Sequence, residues 1–256
     1  MTRIAFGIEY DGTDFLGWQS QLQGPTLQDT VAAALGFVAN SPLTLVCAGR
    51  TDTGVHARCQ VAHTDNDSQR TERAWVLGAN SRLPPSVCVR WAKRVDDGFH
   101  ARYSAVARSY RYRLINRPVR LAIDARMATW ERVPLDVAAM QTACSVLIGP
   151  HDFSSFRTTA CQAKSPVRTI STLDWQRHGD EVTLHIVGNG FLHHMVRNIV
   201  GSALRVGRGD APAEWIASVL ASRDRRCAGP TAPPTGLAFE GPRYPESFGL
   251  PAEVTQ

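Results

Sequence analysis

Apolar positions recur along the chain with two periods, one of about two residues and one of about 3.6, and the switches between them mark its elements. Residues 3–10 read as a strand. After Gly24-Pro25, the residues Leu27, Val31, Ala34, Leu35 and Val38 fall on one face of a helix over 26–38, with Thr26 placed to cap it. Strands at 43–48 and 58–64, a helix near 71–81 and a strand at 87–94 follow. That order, β-α-β-β-α-β, is the split ferredoxin-like unit.

The second half repeats the plan. A strand covers 107–115, a helix about 135–148, and strands at 168–177 and 181–188 flank the turn His178-Gly179-Asp180. A helix spans about 191–206, and an inserted helix at 211–222 starts after Asp210 with Pro212 in its first turn. A short last strand begins near Gly236, where Phe239-Glu240-Gly241-Pro242 confines the proline to an edge or a bulge. The pattern predicts an α+β chain of two ferredoxin-like halves, residues 1–105 and 106–256, forming a mixed or antiparallel sheet with a central cleft. The halves share pattern, not residue identity.

Composition narrows the class. The 256 residues are 43% hydrophobic, which suits a soluble globular protein, and no run approaches the ~20 apolar residues that span a bilayer. The N-terminus reads as a strand and lacks the apolar core of a signal peptide. The cysteines at 47, 59, 88, 144, 161 and 227 form no C-x-x-C pair, so they are expected as free, mostly buried thiols of a cytoplasmic protein. Net charge is +5, which favours a polyanionic partner. Of the 28 basic residues only Lys93 and Lys164 are lysines. From Ala101 to Arg120 there is no acid, and arginines 102, 108, 111, 113, 117 and 120 interleave with Tyr110 and Tyr112. Guanidinium forks for phosphate beside rings that stack on bases are what looped RNA requires, so the cleft reads as an RNA-binding one.

The densest candidate chemistry is Ala48-Gly49-Arg50-Thr51-Asp52-Thr53-Gly54-Val55-His56-Ala57. Gly49 and Gly54 allow tight backbone geometry on either side of the acid. Arg50 and Asp52 lie two apart and project to one side of an extended segment. A guanidinium beside a carboxylate favours the ionised form that a nucleophile needs.

This segment resembles the G-R-T-D-x-G-V-H-A motif of the TruA-type tRNA pseudouridine synthases at every fixed position. Tyr10-Asp11-Gly12-Thr13-Asp14-Phe15-Leu16-Gly17-Trp18-Gln19 resembles the family's N-terminal signature. Phe99-His100-Ala101-Arg102-Tyr103-Ser104-Ala105 followed by Arg108-Ser109-Tyr110-Arg111-Tyr112 resembles its F-H-A-R-x-x-A-x-x-R-x-Y-x-Y stretch. Asp152-Phe153-Ser154-Ser155-Phe156, Phe191-Leu192-His193-His194-Met195-Val196-Arg197-Asn198 and Thr235-Gly236-Leu237 complete six blocks in order. The resemblance implies isomerisation of uridine to pseudouridine at tRNA positions 38, 39 and 40 in the anticodon stem-loop, by a homodimer. It implies Asp52 as the catalytic group acting on a flipped nucleotide. Arg50 would then fill the vacated space or hold phosphate, Tyr110 stack on the uracil, Arg197 pair with the aspartate, and Leu237 wall the base pocket.

No cofactor is expected: Val206-Gly207-Arg208-Gly209-Asp210 follows a helix and is too short for a dinucleotide loop. Nor is a metal, because His193 and His194 as neighbours on a helix would diverge by about 100°. Of the other histidines, His56 and His63 carry no ligand pattern. Three rival classes lack their residues. An RRM-like binder needs its R/K-G-F/Y-G/A-F motif, a base deaminase needs H-x-E with P-C-x-x-C, and a thiol enzyme needs a cysteine in a charged, glycine-flanked setting.

Overall fold

A computed structural model describes residues 2–256. In chain order the elements are β1 (Thr2–Tyr10), α1 (Leu27–Ala39), β2 (Val46–Cys47), β3 (His56–Asn66), α2 (Glu72–Asn80) and β4 (Val87–Val95). Next come β5 (Ala107–Asn116), β6 (Thr129–Glu131), α3 (Val137–Cys144), β7 (Gly149–Asp152), β8 (Val167–His178) and β9 (Glu181–Gly188). The chain ends with α4 (Met195–Gly207), α5 (Trp215–Ser222) and β10 (Leu237–Arg243). These elements gather into two compact units, one of residues up to Ala107 with Ala238–Gln256, the other Arg108–Leu237.

In the first unit the strands run β4-β1-β3-β10, with β2 on the flank of β3. β1 is antiparallel to both neighbours, pairing Ile4 with Thr64 and with Arg94. Thr26 caps α1 by accepting the Asp29 N–H, and Leu27, Val31, Ala34, Leu35 and Val38 form its buried face as the 3.6-residue spacing requires. Trp75 of α2 meets Phe6 of β1 edge to face at 5.5 Å. β10 runs parallel to β3, pairing Ala238 with His56 and Phe239 with Ala57. Pro242 lies beyond that register, next to Gly241 at φ 141°. The C-terminal residues are clasped onto this unit: Tyr244 donates to the Ala101 carbonyl at 2.6 Å and Glu253 accepts from the Trp91 indole at 2.6 Å. Residues 238–256 therefore fold with the first unit, whereas the sequence pattern groups them with the second.

The second unit is an antiparallel run β5-β9-β8-β7, with β6 parallel to β5. Tyr110 pairs with Ile186, and Leu173 with Ile186 from the other side. The neighbouring α3 and α4 bury Met140, Cys144, Ile199 and Ala203.

Several boundaries differ from expectation for identifiable reasons. The strand expected at 43–48 is reduced to Val46–Cys47, the two residues that pair with His63 and Ala62. The helix expected from 191 starts at Met195, because His194 adopts left-handed φ 61° and Leu192 closes a turn onto the Met195 N–H. Leu192 is buried nonetheless and imitates the helical stripe. Asp136 accepts the Ala139 N–H, so the helix expected over 135–148 begins after it and ends in a 3-10 turn at Ser145–Leu147. Pro212 closes a turn before α5, which delays that helix to Trp215. β6 and β7 are too short for alternation to register. All six cysteines are free, but only Cys59 and Cys144 are buried; Cys227 is exposed and the others are half-buried.

Candidate active site

Asp52 stands on the loop between β2 and β3, half-buried, with Arg50 exposed two residues before it. The chain reverses at Asp52-Thr53-Gly54-Val55, closed by Val55 N–H onto the Asp52 carbonyl at 3.1 Å. Gly54 takes φ 76° there, a region side chains disfavour at the third position of a type II turn. At the loop's start, the buried Gln60 side chain donates to the Gly49 carbonyl at 2.5 Å and Ala48 N–H bonds Val61 O at 2.8 Å. Both ends of the loop are thus anchored to β3.

The segment from Tyr10 to Trp18 fastens the loop from the other side. Tyr10 Oη lies 2.8 Å from Thr51 Oγ1, and the Trp18 N–H donates to the Thr51 carbonyl at 3.0 Å. Gly54 N–H reaches Phe15 O at 3.3 Å. Gly17, at φ 91°, crosses so close that a Cβ would fall 2.6 Å from the Thr51 carbonyl oxygen. Only glycine fits both the conformation and the gap. The buried His56 imidazole accepts the Gly12 N–H at Nδ1, 3.1 Å away, and the same nitrogen lies 3.2 Å from Asp11 Oδ1. Asp11 Oδ1 in turn accepts the Thr13 N–H at 3.0 Å. Two of the motif blocks, distant in sequence, are one cradle that holds Asp52 in place. The sequence offered His56 as a residue of the motif; its work as a fastener was not legible, because spacing gives no partner 44 residues away.

In the second unit, Tyr110 is only 9% exposed and faces Phe191 edge-on at 5.1 Å. Tyr112, expected with it as a base-stacking ring, is fully buried: its hydroxyl donates to Pro233 O and meets Thr129 Oγ1, both at 2.8 Å. Burial pushes its phenol well above the ordinary value, so Tyr112 is a neutral structural pin. That pin fixes the segment leading to Leu237, itself buried at the start of β10. Arg197 is half-buried in the first turn of α4; its Nε donates to the Ala232 carbonyl at 2.8 Å, and Ala232 N–H returns a bond to Arg197 O at 3.1 Å. Next to it, buried Asn198 donates to Phe156 O at 2.7 Å and accepts from Thr231 Oγ1 at 2.7 Å. The Asp152–Phe156 and Phe191–Asn198 blocks therefore serve to position one another. Each expected site residue has a defined setting within its own unit: Asp52 and Arg50 in the first, Tyr110, Arg197 and Leu237 in the second.

The arginine-rich run divides by environment. Arg111 is exposed, but Arg113 donates to Glu181 at 2.7 Å and lies 3.6 Å from Asp124. That bond holds the Glu181 carboxyl below its usual range. Arg108 donates to Asn189 O at 2.9 Å. His193 and His194 precede the helix, and their ring centroids are 4.2 Å apart. They do not diverge as neighbours on a helix would, so ring divergence does not keep the two imidazoles from a shared ion. Among the described residues, no helix is long and apolar enough to cross a membrane.

With this geometry in place, comparison with known proteins is direct. The profile of the family described as tRNA pseudouridine synthase matches residues 7–104 and 143–245. The tRNA pseudouridine synthase A of Xanthomonas campestris pv. campestris (strain B100) is 54% identical over 256 residues, covering 99% of this chain and all of that one. The enzyme of the same name from Stenotrophomonas maltophilia (strain K279a) is 55% identical over 254 residues, covering 99% of each. A Cbf5-Nop10-Gar1 complex resembles the structure with a TM-score of 0.36 and 14% identity, over 79% of this chain and 45% of that one, which is too loose to bear on chemistry. By full-length identity and family profile together, this chain belongs to the tRNA pseudouridine synthases of the A type, isomerases that act on uridine in tRNA.

Proposed function

We propose that the enzyme isomerises uridines 38, 39 and 40 in the anticodon stem-loop, with Asp52 as its catalytic group. The observation that carries the assignment is the double fastening of the Asp52 loop, to β3 behind and to Tyr10–Trp18 in front. A reacting carboxylate has to be held in place before substrate arrives, and that loop holds it.

In the reaction the N1–C1′ bond breaks, the uracil turns, and a C5–C1′ bond forms; C5 loses its proton to solvent and N1 regains one. A stacked stem hides these atoms, so the nucleotide is flipped out, at a cost of a few kcal/mol. Attack of Asp52 on C1′, attack on C6, and support of a glycal route all use the same ionised carboxylate. Exposed Arg50 is suited to the vacated stack or to phosphate. Tyr110 supplies the ring against the uracil, Leu237 an apolar wall, and Arg197 a cation to pair with the carboxylate. We place the enzyme in the cytoplasm, as a dimer across one tRNA; sedimentation with and without tRNA measures that stoichiometry.

The test is tritium release from C5-labelled tRNA. Wild type should release it, and tRNA with cytidine at the three positions should release none. Asp52→Asn keeps the shape and removes the charge, so tRNA affinity should persist while turnover disappears. Release by Asp52→Asn above about a thousandth of the wild-type rate would remove Asp52 from the catalytic role.

A further inference from the structure

The run of arginines and tyrosines contains one exposed ring, and it is neither Tyr110 nor Tyr112. Tyr103 is 76% exposed. Its ring lies on the His100 imidazole with centroids 4.3 Å apart and planes 30° from parallel. The turn beneath is tied at every step. His100 Nδ1 accepts the N–H groups of Arg102 and Tyr103 at 3.1 and 3.2 Å. Ser104 Oγ accepts the His100 N–H at 2.9 Å, and the Ser104 N–H donates to the His100 carbonyl at 2.9 Å. Lower still, His63 meets His100 edge-on at 4.9 Å and Phe99 at 5.9 Å, and Phe99 is fully buried. Tyr103 is the top of a column of rings whose base is the core of the first unit.

Its surroundings are cationic. The exposed Arg102 guanidinium lies 5.6 Å from the Tyr103 ring centre. Ala101 and Ala105, on the same turn, pack in one cluster with Ala48, two residues before Arg50. Arg50 and Arg102 are both exposed, and both pull the Cys47 thiol downward, against the larger upward effect of its burial. Burial and Arg3 pull the His100 imidazole below its ordinary value, which keeps the ring under Tyr103 neutral near pH 7. A flat, preset ring beside a guanidinium suits a nucleobase and its phosphate better than an apolar protein face.

We propose that Tyr103 is a stacking station for an unpaired tRNA base, with Arg102 on the adjoining phosphate, beside the loop that carries Asp52. This rests on the reading of the chain as a tRNA enzyme. Wild-type tritium release tests that reading separately, so the failure of one is distinguishable from the failure of the other.

The experiment measures tRNA affinity against salt for the full-length wild type, Tyr103→Ala, Tyr103→Phe and Arg102→Ala, each checked for an unchanged melting curve. Tyr103→Ala should weaken binding roughly ten- to a hundred-fold with the salt slope unchanged, because the lost contact carries no charge. Tyr103→Phe keeps the π-face and should bind nearly as wild type does. Arg102→Ala should lower the salt slope by about one. Wild-type affinity in Tyr103→Ala, or a loss in Tyr103→Phe as large as in Tyr103→Ala, would overturn the proposal. So would unchanged affinity with an altered sedimentation mass, which would assign the ring to a protein contact instead.

Discussion

His56 Nδ1 accepts the backbone N–H of Gly12 at 3.1 Å, joining the strand that leaves the Asp52 loop to the segment that covers it. Accepting this bond requires the lone pair on Nδ1; a proton there would turn the nitrogen to Asp11 Oδ1, 3.2 Å away. The imidazole is therefore a positioning group for the Asp52 loop. His56→Asn retains an acceptor near the Nδ1 position, and His56→Gln carries it too far out. Losing one such buried bond costs about 1–3 kcal/mol. Turnover under saturating tRNA should fall on the order of ten-fold or more in His56→Gln and be largely rescued in His56→Asn, with KM nearly constant in both. Equal damage from the two variants would show that ring packing, not the acceptor, is what matters.

Arg111 and Arg113 are two residues apart on β5, yet their settings predict different behaviour toward RNA. Arg111 is exposed; Arg113 is held by Glu181 and Asp124. Removing Arg111 should lower the salt dependence of tRNA binding by roughly one unit of slope, while removing Arg113 should leave the slope alone and lower stability slightly. A reduced slope in Arg113→Ala would mean that the ion pair opens when RNA binds.

The long elements and the tight turn after Asp52 were legible because both obey local rules. The stripe of α1 and its Thr26 cap lie within one turn of each other in sequence, and Gly54 sits where a turn demands it. What the sequence hid was long-range or irregular. The partnership of Gly12 with His56 leaves no periodic trace. The start of α4 was misread because Leu192 is buried by a turn and not by a helix. Tyr112 looked like an RNA-facing ring because an alternating strand does not reveal which of its faces is the core. Tyr103, outside any strand, had no pattern to announce it.

His63 makes stability depend on pH. Burial first, then His100 and Arg3, lower its imidazole to about 4, and Nδ1 accepts the Ala101 N–H at 3.2 Å. An unfolded histidine takes up its proton near 6.5. Between those values the unfolded chain binds the extra proton, so the contribution is complete above about 6.5 and lost as pH falls toward 4. A shift of that size is worth about 3 kcal/mol at most. Urea unfolding at pH 7.5, 6 and 5 should show this decline. His63→Asn, which keeps an acceptor for Ala101 and cannot titrate, should flatten it. An equally steep decline in His63→Asn would assign the effect to other groups.

Tyr110 separates two accounts of the later half of the reaction. Its ring is nearly buried and held edge-on to Phe191, an arrangement that Tyr110→Phe preserves. If the ring only stacks on the flipped uracil, Phe should keep most activity and Ala should lose roughly ten- to a hundred-fold. If the hydroxyl helps take the C5 proton, Phe should be nearly as damaging as Ala, since general-base contributions run about 10²–10⁴-fold. A phenol is an unwilling base at neutral pH, so the hydroxyl role also requires a cation near the oxygen when RNA is bound. We expect Phe to stall after the uracil has been rejoined through C5, with its proton still in place. Single-turnover measurements on wild type, Phe and Ala, following bond isomerisation and tritium release separately, resolve the two steps. Wild-type tritium release by Tyr110→Phe would end the proton-transfer account and leave stacking as the whole contribution of the ring.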